Sequence, residues 1–314
     1  MSKYVFGVDV GGTTVKLGLF DKEGNLLDKW EIPTKTQNGG EKILPDVAES
    51  IQKKMNEKSV AQKDVIGVGL GAPGPIDAEG TVYGAVNLGW GTFSIRDTLA
   101  GLLGMNVKAG NDANVAALGE MWKGGGKGCK NLVAVTLGTG VGGGIIVNGE
   151  ILTGANGAGG EIGHIHVQDG ETDVCGCGNT GCLEEYASAT GIVRLAKRAL
   201  EESSEPSILR NRPVDAISAK AVFDAVKEND AVAIRIAERF GEYLGKGLGV
   251  IAGVVNPEIF VIGGGVSKAG DILFDFIKPY FDKTVFKGCK NVEFALATLG
   301  NDAGIYGAAK LVLE

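Results

Sequence analysis

Histidine is almost absent. The chain of 314 residues has two, His164 and His166, two positions apart, so any histidine chemistry is confined to one short segment. A basic excess is missing as well. Net charge is −7, from 31 Lys+Arg against 38 Asp+Glu. With no basic run, the charge offers no footprint for a nucleic-acid backbone. No stretch reaches the roughly 18 uncharged apolar residues of a membrane span. The longest candidate, 244–262, is broken by Lys246, Asn256, Pro257 and Glu258. Met1–Val10 runs directly into an apolar strand pattern with no charged leader region and no cleavage site, so no secretory signal and a cytoplasmic location are expected. Disulfides are disfavoured too. Five cysteines are an odd number, and three of them lie within eight residues. That spacing favours a metal site in a reducing compartment.

What the chain has in excess is glycine, 52 residues, about twice the usual share of roughly 7%. With no collagen period, this predicts many tight turns and close backbone approaches. Hydrophobic residues make up 44%, as in a packed globular protein, and the length suits two domains at roughly 100–200 residues each.

Apolar runs predict strands over Tyr4–Val10, Val15–Phe20 and through Trp30–Ile32, an antiparallel meander. Helices are expected over 41–58, 94–103 and 113–122, with strands at Val65–Gly71 and Val107–Ala109. Leu132–Leu137 then repeats the opening pattern, followed by a glycine turn over Gly138–Gly144 and a strand over Ile145–Val147. Shifted by 127 residues, Val8-Asp9-Val10-Gly11-Gly12 overlies Val135-Thr136-Leu137-Gly138-Thr139, and the next turns, Asp21 and Asn148, also fall in register. This reads as an internal duplication. Later helices are expected at 186–202, 218–228, 231–254 and 303–313, with a strand at Ile259–Ile262. Gly241, Gly245, Gly249 and Gly253 form one bare helical ridge, a packing device. The alternation of strands and helices predicts an α/β fold.

Three features point to chemistry. Asp9-Val10-Gly11-Gly12-Thr13-Thr14 and Leu137-Gly138-Thr139-Gly140-Val141-Gly142-Gly143-Gly144 each join two strands. Glycine permits positive φ and lacks Cβ, so several N–H groups can face one anion, and threonine hydroxyls add donors. Asp9 is suited to hold magnesium through water. Either turn alone is equally an ordinary glycine hairpin. Two in a duplicated setting, with a third cluster at Gly263-Gly264-Gly265, favour nucleotide binding. Neither turn is a Walker A loop, since no G-x-x-x-x-G-K-[ST] occurs. Nor is either a Rossmann fingerprint, because the second turn feeds a strand where a helix is required.

The second feature is Asn111-Asp112-Ala113-Asn114, directly before a helix. Asp112 is either that helix's N-cap or a carboxylate able to take a hydroxyl proton during phosphoryl transfer. The third is Glu161-Ile162-Gly163-His164, followed by Cys175, Cys177 and Cys182. One imidazole and three thiolates make a closed Cys₃His set suited to structural zinc, with no open position for catalysis. The plainer alternative is three reduced, packed thiols. Zinc there would tie Glu161 to Glu184, bringing both carboxylates within reach of a sugar.

The ordered series D-x-G-G-T, G-A-P-G-P, N-D-A-N, L-G-T-G-V-G-G-G, E-I-G-H and C-x-C-G-x-x-G-C-L-E resembles the ROK (repressor, open reading frame, kinase) family over nearly the whole chain. Asn87-Leu88-Gly89-Trp90 and Ala117-Leu118-Gly119-Glu120-Met121-Trp122-Lys123 are most similar to its bacterial ATP-dependent glucokinases. The resemblance implies an actin/hexokinase-like (ribonuclease H-like) fold of two α/β domains around a cleft, 1–110 with a C-terminal helix at 300–314, and 111–299 with the zinc loop. It implies a kinase transferring phosphate from ATP to the 6-hydroxyl of glucose, with Mg2+ and structural Zn2+, and Asp112 as base. Sugar hydroxyls are then held by Asn111, Glu161, His164 and Glu184, with Asn87 and the Gly74 backbone as further contacts. Gly11, Gly12, Thr13, Gly138 and Thr139 meet phosphates, Gly263–Gly265 lie toward the nucleoside, and His164, Cys175, Cys177 and Cys182 bind zinc. Relatives suggest a homodimer or tetramer. The competing readings are a kinase for fructose or N-acetylmannosamine, a polyphosphate-using glucokinase, and a non-catalytic sugar-sensing regulator. A first strand at about residue 4 leaves no room for the DNA-binding segment of the family's repressors.

Overall fold

Three strands joined by short turns open the first sheet in the computed structural model, which describes residues 3–313. Strand β1 (Tyr4–Val10) pairs antiparallel with β2 (Thr14–Asp21), and β2 with β3 (Leu26–Pro33). Met1, Ser2 and Glu314, which enter the leader reading and the expected domain bounds, lie outside the described residues. Helix α1 (Ile43–Glu57) follows and buries Ile43, Leu44, Val47, Ala48, Ile51 and Met55 on one stripe. The chain continues through β4 (Val65–Ala72), the hairpin β5 (Thr81–Ala85) and β6 (Trp90–Ser94), α2 (Ile95–Leu103), β7 (Val107–Asn111) and α3 (Asp112–Lys123).

The second half contains β8 (Leu132–Leu137), β9 (Val141–Val147), β10 (Glu150–Ile151), α4 (Glu184–Ala187), α5 (Ala189–Glu202), α6 (Ala219–Lys227) and α7 (Ala231–Val255). It ends with β11 (Ile259–Gly263), α8 (Ile272–Thr284), β12 (Glu293–Leu296) and α9 (Ala303–Leu313). The two five-stranded sheets have orders β3-β2-β1-β4-β7 and β10-β9-β8-β11-β12. Replacing each strand by its counterpart turns one order into the other, so the duplication inferred from one strand–turn–strand unit extends to both whole sheets. Two such mixed sheets with helices make the α/β architecture of the actin/hexokinase type.

The chain forms two compact units: one of the chain through Lys130, Gly144–Gly160 and the chain from Thr298, the other of Asn131–Gly143 and Glu161–Ala297. The division expected between residues 110 and 111 is displaced because α3 packs on α9. A side chain at Gly119 would overlap the Ala303 carbonyl, and one at Gly307 the Val115 carbonyl. The sheet takes α9 equally closely. Gly7 and Gly69 are register partners on β1 and β4, and a Cβ on either would overlap a carbonyl of α9, that of Ile305 or Ala308. In the second unit the bare ridge of α7 does the same for α8, with Gly241 under the Phe276 carbonyl and Gly245 under that of Ile277.

Three sequence expectations change. The glycine turn ends at Gly140, because β9 begins at Val141 and takes in Gly142–Gly144. The helix expected over 186–202 breaks at Ser188, whose extended backbone (φ −77°, ψ 170°) caps α5 through its Oγ. Hairpin β5–β6, α8 and β12 are additional elements. No helix among the described residues is long and apolar enough to cross a membrane.

Candidate active site

Asp112 does not cap α3. That task falls to Asn111, whose Oδ1 accepts the N–H groups of Ala113 and Asn114 at 3.0 and 3.2 Å, while its Nδ2 donates to the Gly74 carbonyl at 3.0 Å. The capping alternative for Asp112 is thereby removed, although its Oδ1 accepts the Ala113 N–H at 2.8 Å. Asn111 is committed to the cap and to Gly74, with one N–H left for a ligand. Gly74 adopts φ 94° and a Cβ there would overlap the Gly84 carbonyl, so this turn needs glycine on both counts. Asn87 is exposed in the short turn between β5 and β6.

In the same unit, Asp9 stands at the end of β1, against the first turn of α9: a Cβ on Gly304 would come within 2.5 Å of its carboxyl carbon. Burial pushes the Asp9 carboxyl up to about 6, Lys16 pulls it down, and the negative charge of Asp112 raises it further. Asp112 is also pushed above the ordinary carboxylate range, by burial first, against hydrogen bonds that lower it. Asp9, half-buried like Asp112, thus senses the Asp112 charge. A half-buried, anionic Asp9 beside a glycine turn suits a hard cation, which would relieve both its desolvation and that repulsion.

The glycine turns do not need left-handed backbone at Gly11, Gly12, Gly138 or Gly140, contrary to the expected use of positive φ. Among the three glycine clusters only Gly264 has it, at φ 84°, tight against the Leu137 backbone. What the other glycines supply is space. A Cβ built on Gly12, Gly138 or Gly265 meets nothing within 4 Å. The N–H of Gly11 is used within its turn, donating to Thr14 O at 3.0 Å, and that of Gly138 donates to Gly140 O at 3.0 Å. Donors for an anion must therefore come from the following residues, Gly12 and Thr13 or Thr139 and Gly140.

In the second unit, the ligand atoms of His164, Cys175, Cys177 and Cys182 all lie within 4.8 Å of one another. Cys177 Sγ is 3.6 Å from Cys182 Sγ, and Cys175 Sγ is 3.7 Å from His164 Nδ1. Four donors around zinc at about 2.3 Å from sulfur sit roughly 3.8 Å apart, so this donor set fits the ion. His166 is not part of it: its ring nitrogens meet Thr180 O and Asp169 Oδ1. His164 Nε2, on the far side of the ring from the thiols, is 4.0 Å from Glu161 Oε2. Glu184 opens α4, and its Oε2 accepts the Val141 N–H at 2.9 Å. The sequence did not single out this tie between Glu184 and the second glycine turn, nor the contacts that Ser188–Thr190 make with the turn. The helix-capping pattern of Ser188 was the one available signal.

Residues 5–314 match the ROK family. A glucokinase of Halalkalibacterium halodurans is 47% identical over 315 residues, covering 99% of this chain and 96% of the relative. The ROK hexokinase of Thermus thermophilus matches with a TM-score of 0.81 at 32% identity, covering 98% of this chain and 97% of that one. A ROK family glucokinase of Streptomyces griseus, solved in complex with glucose and AMPPNP, matches with a TM-score of 0.73 at 34% identity, covering 98% of both chains. With the family's motifs in order and the match running almost end to end, this chain belongs to the ROK family.

Proposed function

We propose that the protein is an ATP-dependent glucokinase, transferring the γ-phosphoryl group of ATP to the 6-hydroxyl of glucose. The observation that carries this is Asp112: a half-buried carboxylate at the start of α3, relieved of capping by Asn111. The likeness to glucokinases supports glucose over other hexoses and ATP over polyphosphate, and an intact Asp112 disfavours a non-catalytic sensor.

In this reading Asp112 accepts the hydroxyl proton as the sugar oxygen bonds to the γ-phosphorus. The bond from that phosphorus to the β,γ-bridging oxygen breaks, and ADP leaves with the electron pair. Glu161, His164 Nε2 and Glu184 hold sugar hydroxyls, with the free N–H of Asn111, Asn87 and Gly74 as further contacts. N–H groups of the two glycine turns face the phosphates, and Gly263–Gly265 lie toward the nucleoside. Asp9 would help hold magnesium, which would supply charge neutralisation at the phosphates. Zinc held by His164, Cys175, Cys177 and Cys182 would supply no step; it would fix the loop that carries the sugar contacts. The direct test is ADP release across a panel of sugars, with glucose expected to give the highest kcat/KM. A fructose or N-acetylmannosamine optimum would replace the substrate.

The turns have their own test. Because a Cβ at Gly12 or Gly138 meets no protein atom, Gly12→Val and Gly138→Val should fold normally and obstruct only a ligand. Calorimetry should show ATP binding weakened and sugar binding kept. Unchanged nucleotide affinity in both would remove the turns from the site.

The pH dependence follows from Asp9. With its carboxyl raised to about 6, it takes up a proton as pH falls through that value and loses the charge that holds the cation. The shift on Asp112 acts in the same direction, since a base must be ionised. The kcat/KM for ATP is therefore expected to fall on the acid side with a midpoint near pH 6. A profile flat down to pH 5 would contradict the role given to Asp9.

A further inference from the structure

Every carbonyl of the Gly138–Gly140 turn is held by a donor of its own unit. Gly138 O accepts the Ala189 N–H at 2.8 Å, and Gly140 O accepts the Gly138 N–H at 3.0 Å. Thr139 O accepts a hydroxyl, that of Thr190, at 2.5 Å. Among the described residues no protein acceptor takes the N–H of Thr139 or of Gly140. The turn therefore has its negative ends tied to protein and two donors free, the polarity an anion needs.

The middle tie differs from the others because it hangs on one side-chain proton. A threonine hydroxyl has one proton to give, and Thr139 O has none, so Thr190 donates there. Its 2.9 Å contact with Ser188 Oγ must then run the other way, with Ser188 donating to Thr190. Ser188 in turn accepts the Gly191 N–H at 2.9 Å. The hydroxyl of Thr190 is thus aimed by the capped first turn of α5. Beyond the turn, Glu184 Oε2 fixes the Val141 N–H at 2.9 Å.

We propose that Thr190 is a positioning residue for nucleotide binding: its hydroxyl latches the Thr139 carbonyl and so keeps the Gly140 N–H turned toward the nucleotide phosphates. The inference rests on the reading of this turn as a phosphate site. The peptide between Thr139 and Gly140 is the one free to flip, because rotation about it is absorbed at ψ of Thr139 and φ of Gly140. A glycine resists that change least. Released, the Thr139 carbonyl would swing its oxygen toward the phosphates and withdraw an N–H donor, replacing an attractive dipole by a repulsive one.

Thr190→Val keeps the side chain's shape and removes the proton; Thr190→Ser keeps the proton. Thr190 is exposed, so both should fold. By calorimetry, Thr190→Val should bind ATP about tenfold more weakly, the effect of one hydrogen bond to a charged group. Adenosine, which has no phosphate, should bind both proteins equally. Thr190→Ser should match the wild type for ATP, and the sugar KM should not move in either variant. Unchanged ATP affinity in Thr190→Val, an equal loss for adenosine, or a Thr190→Ser variant as impaired as Thr190→Val would each overturn the latch. Gly138→Val, measured alongside, separates the two levels. If it weakens ATP binding and Thr190→Val does not, the turn stands and the latch falls. If it leaves ATP affinity intact, the turn is not the phosphate site and the latch falls with it.

Discussion

Asp112→Asn is expected to lower kcat by the roughly 10²–10⁴-fold typical of a lost general base while leaving sugar affinity nearly unchanged. The substitution is clean here for a structural reason. Asn111, not Asp112, caps α3, so the cap does not depend on the carboxylate at 112. The one bond of Asp112 in the first turn, from the Ala113 N–H to its Oδ1, can be kept by an amide oxygen. What is lost is the oxygen able to take a proton. Steady-state kinetics with glucose, together with direct sugar binding, decide the matter; turnover near that of the wild type would end the assignment. A second readout is independent of rate. The Asp112 charge is one cause of the raised Asp9 carboxyl. In Asp112→Asn the acid limb of the residual activity should move below its position near pH 6. An unmoved limb would show that Asp9 does not sense the Asp112 charge in the active enzyme.

Much of this arrangement is legible in the sequence because it depends on local pattern. Strand β1 and helix α9 coincide with the stretches of alternating or continuous apolar residues that predict them, and the 127-residue offset between Gly11 and Gly138 marks the duplication that both sheets repeat. The cysteine cluster was visible because three thiols in eight residues have few other uses. What was illegible depends on partners far along the chain. The bare ridge of α7 announced a close neighbour, but nothing in its spacing named α8. That helix carries Pro279 in its interior, which argues against a helix when read alone. Asp112 as cap or base was undecidable locally, since both roles use the same residue at the same helix end. Only the Asn111 geometry separates them. The Thr190–Thr139 contact joins positions 51 residues apart through a commonplace hydroxyl, and no spacing rule reaches it.

Removal of the metal is expected to act mainly on the sugar. Purified protein should contain one zinc per chain. Chelation or Cys177→Ser should raise the sugar KM by the roughly 10–100-fold that disturbing a metal site costs, with a smaller change for ATP. Zinc on His164 Nδ1, the nitrogen beside Cys175 Sγ, would force the ring proton onto Nε2 and so make Nε2 a fixed donor to a hydroxyl. Glu161 lies beside that nitrogen, and Glu184 follows Cys182 by two residues, so three contacts share one anchor. The loop has a second anchor that does not need metal. Glu171 is held by Arg198 at 3.0 and 3.1 Å and by the Tyr186 hydroxyl at 2.5 Å. Arg198 holds the Glu171 carboxyl well below the usual carboxylate range, so the pair stays ionised throughout the working pH. Cys177 is moreover exposed. The variant should therefore remain folded, with melting and circular dichroism near those of the wild type, and the loss should be confined to the contacts the metal organises. The residual effect on ATP has a stated route: Glu184 Oε2 holds the Val141 N–H at the end of the second glycine turn, so disorder at Glu184 loosens that turn from one side while Thr190 still holds the other. A metal-free enzyme with full activity, or a Cys177→Ser enzyme with an unaltered sugar KM, would reduce these cysteines to packed thiols.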